Sequence, residues 1–171
     1  MDKIDKFEGE YRFLSNFYIA DVEFEGIIYK SSEHAFQAAK TLEPVQRDKI
    51  GNTKNPGEAR KLGKSKKISL RKNWDEIKTF VMFQIVYNKF TRHLDLAQKL
   101  MDTYPAELIE GNTWHDVWFG VCNGFGKYVL GHVLMLVRGL LMLQRATGSL
   151  PPVDFDKHFL NIRKEQDGEK D

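Results

Sequence analysis

Three polar residues at helical spacing form the first group that could do chemistry. Glu33, Gln37 and Lys40 follow one another at intervals of four and three residues, so a helix would place them on one face. A carboxyl group can move a proton or stabilise a cation, and a lysine amine whose pKa is lowered by burial can attack an electrophilic carbon. Ala38 and Ala39 leave room for a pocket beside them. A solvent-facing helix without function would show the same pattern, so the spacing alone leaves both interpretations open.

The glycine-punctuated segment from Glu110 to Gly120 forms the second group. It combines Glu110 and Asp116 with three aromatic residues, Trp114, Trp118 and Phe119. Loops that present flat aromatic faces beside carboxylates can stack heterocycles and assist bond cleavage. A buried aromatic cluster under the loop is an equally good explanation of this composition.

The third group is Leu70–Asp75, where Arg71 and Trp74 flank the start of a predicted helix. A helix N-terminus favours anions, and the guanidinium group matches the geometry of a phosphate. This segment is therefore a candidate for the part of a pocket that binds a phosphate group. A helix cap with an aromatic side chain packed beside it is the alternative.

Composition excludes several classes of protein. Formal net charge is only +2, so no global field draws the chain onto nucleic acid or an anionic membrane. Cys122 is the one cysteine, which excludes an internal disulfide and suits a reducing compartment. The N-terminus lacks the apolar core of a signal peptide, and Arg138 interrupts the longest apolar stretch, so we expect a cytoplasmic protein without a membrane span. The five histidines lack ligand spacing, and we expect neither a metal nor a cofactor.

The elements that would position these groups can be predicted from periodicity. A hairpin turning at Glu25-Gly26 is expected within an extended first thirty residues. Five helices are then expected: Glu33 to about Thr41, an Asn55-capped helix ending at Gly63, Trp74 to about Arg92, Leu94–Thr103, and a central core helix from Leu130 onward. The residues between Gly111 and Gly126 are expected to form a long loop. We predict a mainly α (α+β) fold, a single multihelical domain over residues 1–152 with a small antiparallel hairpin, and a charged extension over 153–171.

Seven ordered blocks together resemble the signature of the YbiA-like NADAR family, and the resemblance covers about residues 7 to 142. The blocks are Phe13-Leu14-Ser15-Asn16-Phe17, Ser32-Glu33-His34 through Lys40, Ala59-Arg60-Lys61-Leu62-Gly63, Leu70-Arg71-Lys72-Asn73-Trp74, Lys89-Phe90, Leu108-Ile109-Glu110 with Asp116 and Gly120, and Leu130-Gly131 through Arg138. Two positions depart from the family pattern: Phe119 stands where the family usually has Trp, and Tyr128 stands where it often has Asn.

The resemblance implies an N-glycosidase that hydrolyses the bond between ribose and a heterocyclic base or amine in a phosphorylated riboside of the riboflavin-intermediate type. It implies Lys40 as a covalent nucleophile at the ribose, with Glu33 and Asp116 as the acids. The substrate-binding residues that we expect are Asn16, Phe13, Arg71, Trp74, Glu110, Trp118 and Phe119. Which of Trp118 and Phe119 stacks on the base stays open.

Two other functions stay open. Relatives in the family remove ADP-ribose from guanine, and a basic stripe would hold the phosphates of such a nucleic-acid substrate; it comprises Lys61, Lys64, Lys66, Lys67, Arg71 and Lys72. A non-catalytic module that binds ADP-ribose or a nucleotide is the second alternative. Such a module could dispense with Lys40 and the two acids, so their presence favours an enzyme.

Overall fold

The computed structural model describes residues 3–113 and 115–149. Within them the chain forms an α+β unit in which helices predominate, as the sequence predicts. The α-helices are α1 (Ser32–Ala38), α2 (Pro44–Gly51), α3 (Pro56–Gly63), α4 (Trp74–Arg92), α5 (Leu94–Asp102) and α6 (Val129–Thr147).

The strands are short and pair in twos. β2 (Ile19–Phe24) and β3 (Ile27–Ser31) form the predicted antiparallel hairpin. Glu25 and Gly26 both have positive φ in its turn, as a type I′ turn requires. The other two pairs are parallel: β1 (Lys3–Ile4) lies beside β4 (Glu107–Leu108), and β5 (Gly111–Asn112) lies beside β6 (Val121–Cys122).

The core is one cluster of buried residues in which α4 packs against both α6 and β2. α6 is the predicted core helix, and it also packs against α5 and β4. By length and composition alone α6 could cross a membrane, but the core helix of a globular protein meets the same criteria. Its buried face is apolar at helical spacing, through Leu130, Val133, Leu134, Val137 and Leu141.

Three expectations about the elements are wrong. The segment between Gly111 and Gly126 is not all loop, because it contains the paired strands β5 and β6. The first thirty residues are not all extended, because Gly9–Leu14 forms a 3₁₀ helix whose end buries Phe13 and Leu14. Helix α2 was not predicted, and its sequence explains why: Ile50 is its one buried residue, so the apolar periodicity that predicts helices is missing. The charged extension over 153–171 lies outside the described residues, and the boundary at 152 stays a prediction.

Candidate active site

A cavity of about 280 Å³ opens between α1, α3, α4 and the loop that follows β5. It brings together all three predicted catalytic residues, Glu33, Lys40 and Asp116. The predicted binding residues Asn16, Trp74, Glu110 and Phe119 also line it. Its other lining residues are Phe17, Phe36, Gln37, Arg60, Lys64, Met82 and His115. Two of the three groups found in the sequence therefore meet in one place, and the third contributes Trp74.

Helix α1 forms one wall. The Ser31 hydroxyl caps it by accepting from the His34 amide, and the Glu33 amide in its first turn donates to the Asn16 carbonyl over 3.0 Å. The Gln37 side chain, one turn later, donates to Glu33 Oε1 over 2.8 Å. The first turn of α1 and the Asn16 segment thus hold the Glu33 carboxyl at the cavity.

Lys40 follows the end of α1. Its backbone carbonyl accepts from the Arg71 amide over 2.8 Å, which ties the end of α1 to the segment before α4. Its Nζ donates to the Gly63 carbonyl over 3.2 Å at the end of α3. Burial lowers the pKa of Lys40 to about 8, against an opposing effect of the Glu33 charge. A larger share of the amine is therefore neutral near physiological pH than for a solvated lysine, as a nucleophile requires.

The loop after β5 carries Asp116. The Asn112 side chain donates to the Asp116 carbonyl over 2.8 Å and accepts from the Asp116 amide over 3.1 Å, which fixes the loop at both backbone groups. Asp116 Oδ1 accepts from the amides of Trp118 and Phe119, at 3.2 and 2.9 Å. The carboxylate is thereby oriented by the backbone of its own turn.

The other two carboxyl groups are electrostatically perturbed. Burial is the main cause that raises the pKa of Glu33, and the Gln37 hydrogen bond opposes it. Burial also raises the pKa of Glu110 to about 7, and the negative charges of Asp116 and Glu33 act in the same direction. Perturbed titratable groups clustered in a cavity are typical of catalytic sites.

The cavity has an aromatic wall. Phe36 packs on Trp74 and on Phe119, with ring centroids 5.1 Å apart in both pairs. Trp118, predicted to bind substrate, does not line the cavity. Its ring lies between Lys78 Nζ at 4.3 Å and Lys127 Nζ at 4.2 Å from its centroid. Phe119 therefore faces the cavity, at the position where the family usually has Trp.

Two more predicted binding residues lie outside the cavity. Phe13 is buried in the core, where its ring meets Phe90 edge-on. Arg71 is buried against Glu25, to which it donates at 3.1 and 3.2 Å, so its guanidinium joins the segment before α4 to the hairpin turn. The alternative interpretation of the third group, that of a structural helix start, fits Arg71 better than phosphate binding.

Sequence reasoning did not place Arg60 in the site and assigned Lys64 only to a basic stripe for nucleic acid, yet both line the cavity. They lie four residues apart at the end of α3 and just beyond it, so helical spacing puts both on one side. The Arg60 guanidinium lies 5.9 Å from the Phe17 ring centroid. The family block that contains Arg60 and this four-residue spacing were the sequence features that could have indicated a cationic side of the cavity.

A larger cavity of about 500 Å³ lies between the 3₁₀ helix and α5. Its charged residues, Glu10, Lys99 and Asp102, are solvent-exposed, and it holds none of the groups with a perturbed pKa. The smaller cavity is therefore the candidate active site. Among residues 3–113 and 115–149, no group of three or more His, Cys, Asp or Glu side chains could hold a metal ion.

Comparison with known proteins agrees with the geometry. The NADAR domain matches residues 4–142. The N-glycosidase YbiA of Shigella flexneri is 35% identical over 136 residues, which are 80% of this chain and 85% of that protein. A riboflavin biosynthesis protein of Vibrio vulnificus is 32% identical over 74% of this chain, which is 34% of that protein. The NMR structure of the Escherichia coli protein YbiA superposes with a TM-score of 0.76 at 33% identity, covering 85% of this chain and 89% of that one. By these matches the chain belongs to the NADAR domain family, and its enzymatic class is that of an N-glycosidase hydrolase.

Proposed function

We propose that the enzyme hydrolyses the C–N bond between ribose and a heterocyclic base or amine in a phosphorylated riboside. The observation that carries this proposal is the placement of Lys40 in one cavity with three carboxyl groups, those of Glu33, Glu110 and Asp116. A ribosyl C–N bond breaks through a cationic, oxocarbenium-like state, which nearby carboxylates stabilise. The riboflavin biosynthesis proteins among the relatives favour an intermediate of that chemistry as the substrate.

The cavity suits each part of such a substrate. Phe119, Phe36 and Trp74 offer apolar faces to a flat base. Arg60 and Lys64 supply positive charge for the phosphate, in place of Arg71. With about 280 Å³ available, the cavity accommodates one small polar ligand. The single cysteine and a phosphorylated substrate favour a cytoplasmic site of action.

Lys40 acts as the nucleophile in this proposal. Its neutral amine attacks C1′ of the ribose as the bond to the base nitrogen breaks, and that nitrogen leaves with both electrons and takes up a proton. Opening of the sugar ring converts the resulting glycosylamine into an imine. Water then adds to the imine carbon, which frees Lys40 and releases ribose phosphate. The pKa of Lys40 near 8 supplies a neutral fraction for the attack.

Trapping tests this role directly. We expect wild-type enzyme to release free base from a panel of ribosyl 5′-phosphates, detected by chromatography, and borohydride added during turnover to leave a ribosyl adduct on the Lys40 peptide. Lys40→Arg keeps the positive charge but offers no free amine at neutral pH, so it should bind substrate without turnover. An active Lys40→Arg enzyme, or an adduct confined to another lysine, contradicts the role.

A second candidate substrate is ADP-ribosylated guanine in nucleic acid. One observation favours it: Lys64 lines the cavity, and the exposed lysines of the same segment, Lys61, Lys66, Lys67 and Lys72, could contact backbone phosphates. Arg71 is excluded from this stripe because it is buried against Glu25. A modified oligonucleotide should then be cleaved with a steep dependence on salt, whereas cleavage of a free nucleotide should depend on salt only weakly.

A further inference from the structure

The three carboxyl groups of the cavity differ in their hydrogen bonds. Glu33 accepts from the Gln37 side chain at 2.8 Å, and Asp116 Oδ1 accepts from two backbone amides. Within residues 3–113 and 115–149, no donor forms a hydrogen bond with the Glu110 carboxyl. Glu33 and Asp116 are thus oriented as acceptors, whereas the described hydrogen bonds leave Glu110 able to hold a proton.

The backbone of Glu110 is held by the start of β6, and its side chain lines the cavity. Glu110 directly precedes β5, and its backbone carbonyl accepts from the Val121 amide over 2.8 Å, which fixes its main chain beside β6. Gly120 makes this approach possible. A Cβ at that position would lie 2.6 Å from the Glu110 carbonyl oxygen and 3.3 Å from Glu110 Oε2.

Charges around Glu110 also favour its neutral form. After burial, the carboxylates of Asp116 and Glu33 are the main causes that raise its pKa to about 7, and Arg60 opposes them. Glu110 lines two cavities, the active-site cavity and a neighbouring one beside β1. The other charged or titratable residues that line them are Lys40, Lys64 and His115 in the first, and Asp5, Lys6, Glu8 and Arg12 in the second.

We propose that Glu110 is a further catalytic residue, the acid that protonates the leaving nitrogen as the ribosyl C–N bond breaks. This inference rests on the proposed N-glycosidase reaction. The electron pair of the breaking bond stays on the nitrogen, the proton of the Glu110 carboxyl passes to that nitrogen, and Glu110 becomes a carboxylate. In the second half of the reaction this carboxylate takes a proton from the water that attacks the Lys40 imine. Glu110 is then protonated again for the next cycle.

Glu110 is better placed for this role than the other two acids. Glu33 lies on α1, the element that leads into Lys40, and its charge acts directly on the Lys40 amine. Asp116 has one oxygen occupied by the amides of its own turn. Glu110 comes from a different wall, just before β5, so a ribose C–N bond can lie between it and Lys40. When two titratable groups lie on either side of the bond that breaks and their environments differ, one can act as the acid and the other as the nucleophile.

A pH profile of kcat/KM tests the inference. The wild-type rate should rise with pH as Lys40 loses its proton and fall as Glu110 loses its own, which gives a bell-shaped curve. Glu110→Gln cannot titrate, so its curve should keep the rise and lack the fall, with kcat lower by about 10²–10⁴-fold. Glu110→Asp should be slower than wild type overall, and its rate should still fall at high pH. Glu107→Gln, an exposed position on β4, is the matched control and should match wild type.

The basicity of the leaving group supplies an independent readout. Nicotinamide riboside 5′-phosphate carries a pyridinium that departs as a neutral base without a proton, whereas a ribosylaminopyrimidine 5′-phosphate needs one. Glu110→Gln should slow the second far more than the first. Equal slowing of both substrates, or a Glu110→Gln profile that still falls with pH, overturns the role of Glu110. Failure of wild-type enzyme to release base from any riboside contradicts the proposed function instead.

Discussion

Gln37 donates to the Glu33 carboxyl over 2.8 Å, one helical turn away; both residues are buried, and Gln37 packs against Gly63. A Cβ at Gly63 would collide with Gln37 Oε1 and lie 2.8 Å from Gln37 Cβ. The absence of a side chain at the end of α3 therefore allows α1 to hold Glu33 in place. The carbonyl of the same glycine accepts from Lys40 Nζ, so Gly63 supports two proposed catalytic groups.

Gly63→Ala should displace Gln37 and disturb Glu33 and Lys40. Overpacking of this kind costs about 1–3 kcal/mol of stability, and we expect kcat to fall even at temperatures where the variant is fully folded. Thermal unfolding and steady-state kinetics check both effects. Gly139→Ala is the control, because nothing lies within 4 Å of its added Cβ. Wild-type kcat in Gly63→Ala would show that the Gln37–Glu33 contact is dispensable.

Phe119, and not Trp118, should bind the base. Phe119→Ala removes an aromatic face from the cavity wall, and loss of stacking costs about 1–3 kcal/mol of binding energy per base. Trp118→Ala removes a ring that lies between Lys78 and Lys127, outside the cavity, so KM should stay near that of wild type. KM measured for both variants with one riboside decides between them. A raised KM in Trp118→Ala together with a wild-type KM in Phe119→Ala would contradict the assignment.

Asp116→Asn removes the negative charge of the side chain but keeps its shape, so it tests the role of the charge alone. The asparagine Oδ1 can still accept from the amides of Trp118 and Phe119, so the turn should persist. Loss of the negative charge should lower stabilisation of the sugar cation, and we expect kcat to fall on the order of 10²-fold with little change in KM. Parallel losses in kcat, KM and melting temperature would indicate a structural role.

Arg60→Gln should weaken recognition of the substrate phosphate. A hydrogen bond to a charged group contributes about 1.5–3 kcal/mol, so kcat/KM for the phosphorylated riboside should fall by the corresponding factor while that for the dephosphorylated riboside changes little. Lys61→Gln, an exposed neighbour outside the cavity, is the control. Equal losses on both substrates would show that Arg60 acts on something other than the phosphate.

Local signals predicted most of the elements. Asn55, Pro56 and Glu58 predicted the start of α3, and the structure shows the Asn55 side chain accepting from the Glu58 amide. Glu25 and Gly26 predicted the hairpin in the same way. Such predictions succeed because the interactions involved lie within a few residues of one another.

Positions set by long-range contacts could not be read from the sequence. Arg71 pairs with Glu25 across 46 residues, so its segment gave no sign that its charge was already neutralised. In the irregular loop after β5, no periodicity indicates whether Trp118 or Phe119 turns inward. Arg60 is visible as a cavity residue only once α3 is packed beside α1.

The most buried lysine among residues 3–113 and 115–149 should set part of the pH dependence of stability. Lys89 is 1% exposed, and its Nζ donates to the carbonyls of Phe13 and Ser15 at 2.6 and 3.1 Å. These bonds hold the segment that leads into Asn16 at the cavity. Burial lowers the pKa of Lys89 from 10.5 to about 7.

The sign of the effect follows from proton binding. Between pH 7 and 10.5 the unfolded chain holds a proton on Lys89 that the folded protein has released, so stability rises with pH over this window. The contribution is at most about 1.4 kcal/mol per pH unit. Below pH 7 both states are protonated and the cost of burying the charge is constant.

Lys89→Met should remove this dependence. Thermal unfolding from pH 6 to 9.5 should show wild type gaining stability relative to Lys89→Met as the pH rises above 7, with a constant difference below it. Lys99→Met, an exposed lysine on α5, should follow the wild-type curve in parallel. Because two carbonyls lose their donor, Lys89→Met should also loosen the Asn16 segment and raise KM. A stability difference that stays flat from pH 6 to 9.5 would show that Lys89 keeps one protonation state throughout.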